Sequence, residues 1–219
     1  MRLSKPLATG AVSLALLATL SGCGSDSDSG SNSGSDSAAA SASASKGGSL
    51  PSAKSLEEAQ DFIAGAGLPC TDITTDEGAQ GTPVEGFLGH TDEDDTAKEK
   101  REAAAWSIKE AGFCGDTRSD LGGWVVYLPK DMKAFQENYR DTARESAKEE
   151  GWGGQLSRGK FLVGADFIVD PTNYEASNSL LQTGLMIENC DPDFKAPDGY
   201  RTQDASADGC VLTNYLSAG

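Results

Sequence analysis

Residues 123–150, GWVVYLPKDMKAFQENYRDTARESAKEE, decide the fold class of this chain. Residues 124–128 are a continuous apolar run between glycines and Pro129, which predicts a buried β-strand. From position 131 to 149 apolar residues recur every three or four positions, which predicts a long helix with one buried side. The residues of that side are Met132, Phe135, Tyr139, Ala143 and Ala147.

The segments that follow predict two or three more elements. Residues 161–163 and 167–169 are apolar and separated by Gly-Ala-Asp, which predicts either a tight hairpin or one bulged strand. Residues 171–183 predict a helix with Leu180 and Leu181 inward, and residues 185–187 lead as an apolar segment into Cys190.

Upstream, Ser55 and Glu58 have capping-box spacing, which predicts a helix start. Residues 76–93 are rich in Gly, Thr, Asp and Glu and predict a mobile loop. The alanine spacing beyond Asp94 or Asp95 predicts a second helix with a buried apolar stripe, ending at Gly112. A short strand leading to Cys114 is the alternative for the end of this segment.

Helices and strands in mixed order with short connections predict an α+β domain over residues 51–219. We expect a small, mainly antiparallel sheet whose helices cover one face, with two disulfides as staples. About 169 residues are enough to bury a single core.

The composition excludes some partners. Eighteen Lys and Arg residues against 34 Asp and Glu residues give a net charge of -16, and no basic patch interrupts the acidic sequence. Such a chain repels nucleic acids and anionic lipid, so we expect no nucleic-acid partner.

The first 22 residues have the pattern of an export signal. Arg2 and Lys5 precede about fourteen apolar and small residues, followed by Leu-Ser-Gly-Cys at positions 20–23. This ending resembles the bacterial lipobox. The resemblance implies cleavage before Cys23 and attachment of diacylglycerol, with acyl chains such as palmitate, to its sulfur. Two acyl chains anchor a protein stably, so we expect a lipoprotein on the extracytoplasmic face of the cell membrane. An ordinary signal peptide with a nearby cysteine is the alternative.

Residues 23–50 are expected to form a tether between this cysteine and the folded domain. They are almost wholly Ser, Gly, Ala and Asp, and no side chain among them can anchor a core. As a flexible coil the segment spans roughly 25–30 Å on average. A glycosylated serine-rich stretch is the alternative.

Four cysteines follow the tether: Cys70, Cys114, Cys190 and Cys210. Outside the cytoplasm thiols oxidise, so two disulfides are expected. Four cysteines allow three pairings. We favour Cys70–Cys114, which follow two successive predicted helices, and Cys190–Cys210, which bracket a polar loop. A zinc site is disfavoured because no CxxC pair is present and His90 is the only histidine.

The sequence offers little catalytic machinery. His90 lies in the polar loop far from any GxSxG motif, and P-loop, GxGxxG and HExxH motifs are absent. We therefore expect no cofactor. Paired carboxylates remain as an alternative, because acidic residues are abundant.

Two further sites are candidates for ligand contact. Trp152 lies among glycines at positions 151–154, where an exposed indole can stack on a sugar or a partner. Asp191, Asp193 and Asp198, between Cys190 and Cys210, are candidates for weak calcium binding, although their order departs from the EF-hand. A solvated acidic face and an indole at the edge of the core are the alternatives.

The order of elements over residues 114–185 loosely resembles uncharacterised lipoproteins of high-GC Gram-positive bacteria, a resemblance that brings no activity with it. The sequence predicts a non-catalytic binding or sensing module at the cell envelope, of unidentified ligand or protein partner. The alternatives are a carboxylate-dependent cell-wall hydrolase and an accessory subunit of a membrane complex.

Overall fold

The structure is a computed structural model that describes residues 49–150 and 159–217. Within these ranges the chain forms four helices and seven strands. The helices are α1 (Leu56–Gly65), α2 (Ala97–Ala105), α3 (Met132–Glu150) and α4 (Tyr174–Leu181). The strands are β1 (Ile108–Gly115), β2 (Gly123–Pro129), β3 (Leu162–Val163), β4 (Ile168–Pro171), β5 (Met186–Asn189), β6 (Thr202–Asp204) and β7 (Val211–Thr213). None of the described helices is both long and apolar enough to cross a membrane.

All seven strands lie in one sheet with the order β1-β2-β4-β3-β5-β7-β6, and every neighbouring pair is antiparallel. The predicted strand at 124–128 is β2, a central strand between β1 and β4. Thr74, which belongs to none of the seven strands, forms an isolated antiparallel bridge to Phe113 of β1. The predicted α+β class is confirmed.

Helices pack on both faces of the sheet, whereas the sequence predicted that they cover only one face. Successive residues of a strand point to opposite faces. Trp124 and Val126 of β2 therefore join the core cluster that contains residues of α1 and α4. Val125 and Tyr127 join the cluster that contains residues of α3. The near-continuous apolar sequence of β2 follows from this double coverage.

The long helix α3 matches its prediction. Phe135, Tyr139 and Ala143 are buried against the sheet. Phe161 lies among their rings, with its centroid 5.1 Å from that of Phe135 and 5.0 Å from that of Tyr139. Edge-to-face contacts of this kind stabilise an aromatic core beyond the burial of area.

The second predicted helix is wrong in its length and its buried stripe. Thr96, not Asp94 or Asp95, is the N-cap, and it forms a full capping box with Glu99. The helix ends at Ala105, and none of its residues is buried. The chain from Ile108 onward forms β1 instead, because pairing with β2 satisfies its backbone. The strand that was the alternative for this segment is therefore the observed structure.

The segments 161–163 and 167–169 form a hairpin, one of the two predicted arrangements. Its turn is closed by the Gly164 N–H, which donates to the Phe167 carbonyl at 2.9 Å. Asp166 in this turn accepts hydrogen bonds from the Ala53 N–H at 2.7 Å and the Ser52 hydroxyl at 2.6 Å. The turn therefore holds the chain where it enters the domain.

Both predicted disulfides, Cys70–Cys114 and Cys190–Cys210, are present. The loop closed by the second disulfide contains strand β6, which the sequence did not indicate. Three side chains of α3 also hold this loop. Lys133 and Arg140 donate to the carbonyls of Ser206 and Asp208, and the Gln136 side-chain carbonyl accepts from the Ser206 N–H at 2.6 Å.

Candidate functional site

A short segment, residues 82–88, forms one wall of a cleft over the α3 face of the sheet. Its turn is closed by the Gly86 N–H, which donates to the Pro83 carbonyl. The Phe87 N–H donates to Oε1 of Glu77 at 3.0 Å, and the Leu88 N–H donates to the Tyr127 hydroxyl at 3.2 Å. The sequence predicted a mobile loop here; the structure shows a hydrogen-bonded wall.

We call this cavity the 82–88 cleft. Its volume is about 610 Å³, within the range of small-molecule sites. The opposite wall comes from β2 and from the end of β4, where Val125 pairs with Asp170. The lining residues are Thr82, Pro83, Val84, Glu85, Gly86, Phe87, Leu88, Thr117, Val125, Tyr127, Lys160, Asp170, Pro171, Thr172 and Asn173.

An ion pair lies in this lining. Nζ of Lys160 is 2.9 Å from Oδ2 of Asp170, and the side chains are 47% and 12% exposed respectively. Burial raises the pKa of Asp170, and the positive charge of Lys160 opposes this shift. The buried Asp170 carboxylate thus binds the Lys160 ammonium, and the Lys160 side chain remains about half exposed to the cleft. The same ammonium lies 5.2 Å from the Phe161 ring centroid.

Tyr127 places a buried hydroxyl in the same lining. Burial raises the pKa of this phenol well above its usual value, and the negative charge of Asp170 adds to the shift. The hydroxyl is therefore neutral over the physiological pH range, and it accepts a hydrogen bond from the Leu88 N–H. It acts as a hydrogen-bonding group, not as a base.

The other side of the 82–88 segment faces an acidic hollow of about 510 Å³. His90 lies there, exposed as predicted, with Nδ1 3.4 Å from Glu77 and Nε2 3.4 Å from Asp92. Asp92, Asp94 and Asp95 bring carboxylate oxygens within 4.8 Å of one another. Their side chains are mostly exposed, which is typical of a solvated acidic surface.

The residues predicted for lipidation and for ligand contact fall into two groups. Cys23 and Trp152 lie outside the described residues. Asp193 and Asp198 are exposed and Asp191 is half-buried, in the loop closed by Cys190–Cys210. Among the described residues, these three aspartates do not form one of the close groups of possible metal ligands. The calcium site therefore stays a prediction from sequence.

Sequence reasoning missed Lys160, Asp170 and Tyr127 as a group. Tyr127 appeared only as part of an apolar strand, and Asp170 followed another. The pairing of β2 with β4 brings these two strands side by side, and their register is a tertiary property. The only sequence signal for this group was a polar residue, Asp170, directly after an apolar run.

Sequence reasoning also missed a buried acid on β5. Glu188 is fully buried, and its Oε2 has no hydrogen-bond partner among the described residues. Burial raises its pKa to about 8, against the opposing charge of Arg140. It lies outside the lining of the 82–88 cleft.

No protein-family model matches the chain, and neither the curated proteins nor the solved structures searched contain a match.

Proposed function

We propose that this protein is a lipoprotein anchored through Cys23 on the outer face of the cell membrane, and that its domain binds a ligand in the 82–88 cleft without transforming it. The observation that carries the binding proposal is the Lys160–Asp170 pair in a cleft of about 610 Å³. A concave surface that combines apolar side chains with placed polar and charged groups is typical of ligand sites.

The N-terminal sequence supports the anchoring. A basic start, an apolar stretch and the Leu-Ser-Gly-Cys ending occur in the order that a lipoprotein signal requires. The polar segment up to residue 50 then supplies a spacer between lipid and domain.

The cleft and the start of the domain lie at opposite ends of β4, which supports binding of a ligand of the cell envelope. The chain enters the domain at the turn that precedes β4, where the Ala165 N–H donates to the Pro51 carbonyl at 2.7 Å. Asp170 and Pro171, at the other end of β4, line the cleft. The four residues of β4 span roughly 10 Å between these two ends. Pro51, which follows the tether in the sequence, therefore lies at the end of β4 away from the cleft.

A thermal melt of the full-length protein in non-ionic detergent tests the binding. The panel contains Ca²⁺, cell-wall fragments, sugars and short peptides. A ligand present at 100 times its Kd adds about 2.7 kcal/mol to stability. We expect one class to raise the Tm, and we expect Val84→Arg at the cleft rim to abolish that rise. Val84 is 97% exposed, so the substitution leaves the core intact.

The matched control is Tyr200→Arg, at a half-exposed residue outside the cleft lining. An unchanged Tm across the panel would contradict the proposal and favour a protein partner. A rise that survives Val84→Arg but not Tyr200→Arg would place the site elsewhere.

A carboxylate-dependent hydrolase is the second candidate function. Glu85 and Asp170 line the same cleft, and burial raises the pKa of Asp170 as a proton donor requires. The ion pair with Lys160 argues against it, because it favours the ionised carboxylate. Release of reducing sugar from wall polysaccharide that is lost in Asp170→Asn would establish the hydrolase; binding without release would exclude it.

A further inference from the structure

The charged groups of the 82–88 cleft are the ones that a ligand can reach. Tyr127 is only 1% exposed, and its hydroxyl already accepts from the Leu88 N–H. The side chain of Lys160 is 47% exposed, and Glu85 is exposed. These two residues are therefore open to contact from the cleft.

The cleft also holds charges of both signs. Of the lining residues, Lys160 carries a positive charge and Glu85 and Asp170 carry negative charges. Asp170 is already neutralised by Lys160, whereas Glu85 is exposed and lacks a described ion-pair partner. The ammonium has three N–H donors and uses one toward Asp170. Cation-binding and anion-binding capacity therefore coexist in one concavity.

Three simple ligand classes fit this set poorly. A neutral sugar would cover Lys160 and Glu85 without matching their charges, which costs free energy on desolvation. A simple anion would meet Glu85 and a chain of net charge -16. A simple cation would meet the like charge of the Lys160 ammonium.

We infer that the 82–88 cleft binds a short zwitterionic peptide, with its carboxylate at Lys160 and its ammonium at Glu85. Pro83, Val84, Leu88, Val125 and Pro171 supply apolar surface for aliphatic side chains. This inference rests on the proposed binding function and specifies its ligand class. Charge-assisted hydrogen bonds at both peptide ends supply the specificity.

Calorimetry on the full-length protein in non-ionic detergent tests the inference with the tripeptide Ala-Val-Ala, its N-acetyl form and its C-terminal amide. We expect the free peptide to bind, and each blocked form to bind at least about tenfold more weakly. Lys160→Gln is expected to remove the preference for the free carboxylate. Glu85→Gln, at an exposed position, is expected to remove the preference for the free ammonium.

The matched control is the exposed pair Lys109 and Glu110, 3.1 Å apart and outside the cleft lining. Lys109→Gln and Glu110→Gln are expected to leave both preferences unchanged. If Lys160→Gln fails to fold, the C-terminal amide on the unchanged protein tests the carboxylate end, because it differs from the free peptide only at that group.

Equal binding of free and blocked peptides would overturn the zwitterion while leaving the cleft as a binding site. Absence of peptide binding, with a neutral sugar binding in a Val84→Arg-sensitive way, would overturn the peptide class but preserve the proposed function. Absence of peptide binding together with an unresponsive panel would overturn both.

Discussion

The carboxylate of Asp166 lies 2.7 Å from the backbone nitrogen of Ala53, which is 113 positions earlier in the chain. The same side chain accepts from the Ser52 hydroxyl. One residue in a two-residue turn therefore joins the start of the domain to the β3–β4 hairpin. Ala53 itself is fully buried, so this junction belongs to the core.

Asp166→Ala is expected to destabilise the domain by about 2 kcal/mol, because the buried Ala53 N–H loses its charged acceptor. Urea unfolding measures this loss. Ser52→Ala removes only the more exposed of the two bonds and is the control, with an expected loss below about 1 kcal/mol. Equal losses for the two variants would refute a special role for the Ala53 bond.

Glu188→Gln is expected to stabilise the domain at neutral pH. The pKa of Glu188 is about 8 in the folded chain and 4.5 as the reference value. Below pH 4.5 both states are protonated; between these values only the unfolded state releases the proton. Stability therefore falls as pH rises from 4.5 toward 8, by at most about 1.4 kcal/mol per pH unit.

The increase in the free energy of unfolding caused by Glu188→Gln should be small at pH 5 and on the order of 1–3 kcal/mol at pH 7.5. Urea unfolding at the two pH values measures it. The exposed Glu175→Gln is the matched control and is measured at the same two pH values. A gain that is the same at both pH values would show that Glu188 is not neutral in the folded chain.

Removal of each disulfide is expected to lower the free energy of unfolding by a different amount. The separations are 44 residues for Cys70–Cys114 and 20 residues for Cys190–Cys210. The chain-entropy model gives losses of about 4 and about 3 kcal/mol for the double alanine variants. Thermal unfolding of both variants gives the comparison. A larger loss for the shorter loop would mean that native contacts, not loop closure, dominate.

Cys23→Ser is expected to release the protein from membranes into the soluble fraction, because it removes the proposed acylation site. Fractionation of cells that produce each variant measures this. Ser25→Ala, two positions away, keeps the cysteine and should remain in the membrane fraction. Membrane association of Cys23→Ser would contradict the anchoring proposal.

Patterns of local sequence determined much of this protein. The spacing in α3, the apolar run of β2 and the capping residue Ser55 each predict an element from nearby positions. Both cysteine pairings also followed from their place relative to predicted elements. Hydrophobic period and capping chemistry act over one or two turns of chain, so the sequence expresses them directly.

The tertiary structure decided the rest. The alanine spacing of α2 is consistent with a longer helix. The helix ends at Ala105 because the chain that follows pairs with β2 as strand β1. Lys160, Asp170 and Tyr127 share a cleft only because β4 lies beside β2 and because the 82–88 segment folds over them. Glu188 is fully buried and interacts electrostatically with Tyr139 and Arg140 of α3, a helix far from it in the sequence. Strand register and layer packing depend on residues far apart in the chain, and no local pattern specifies them.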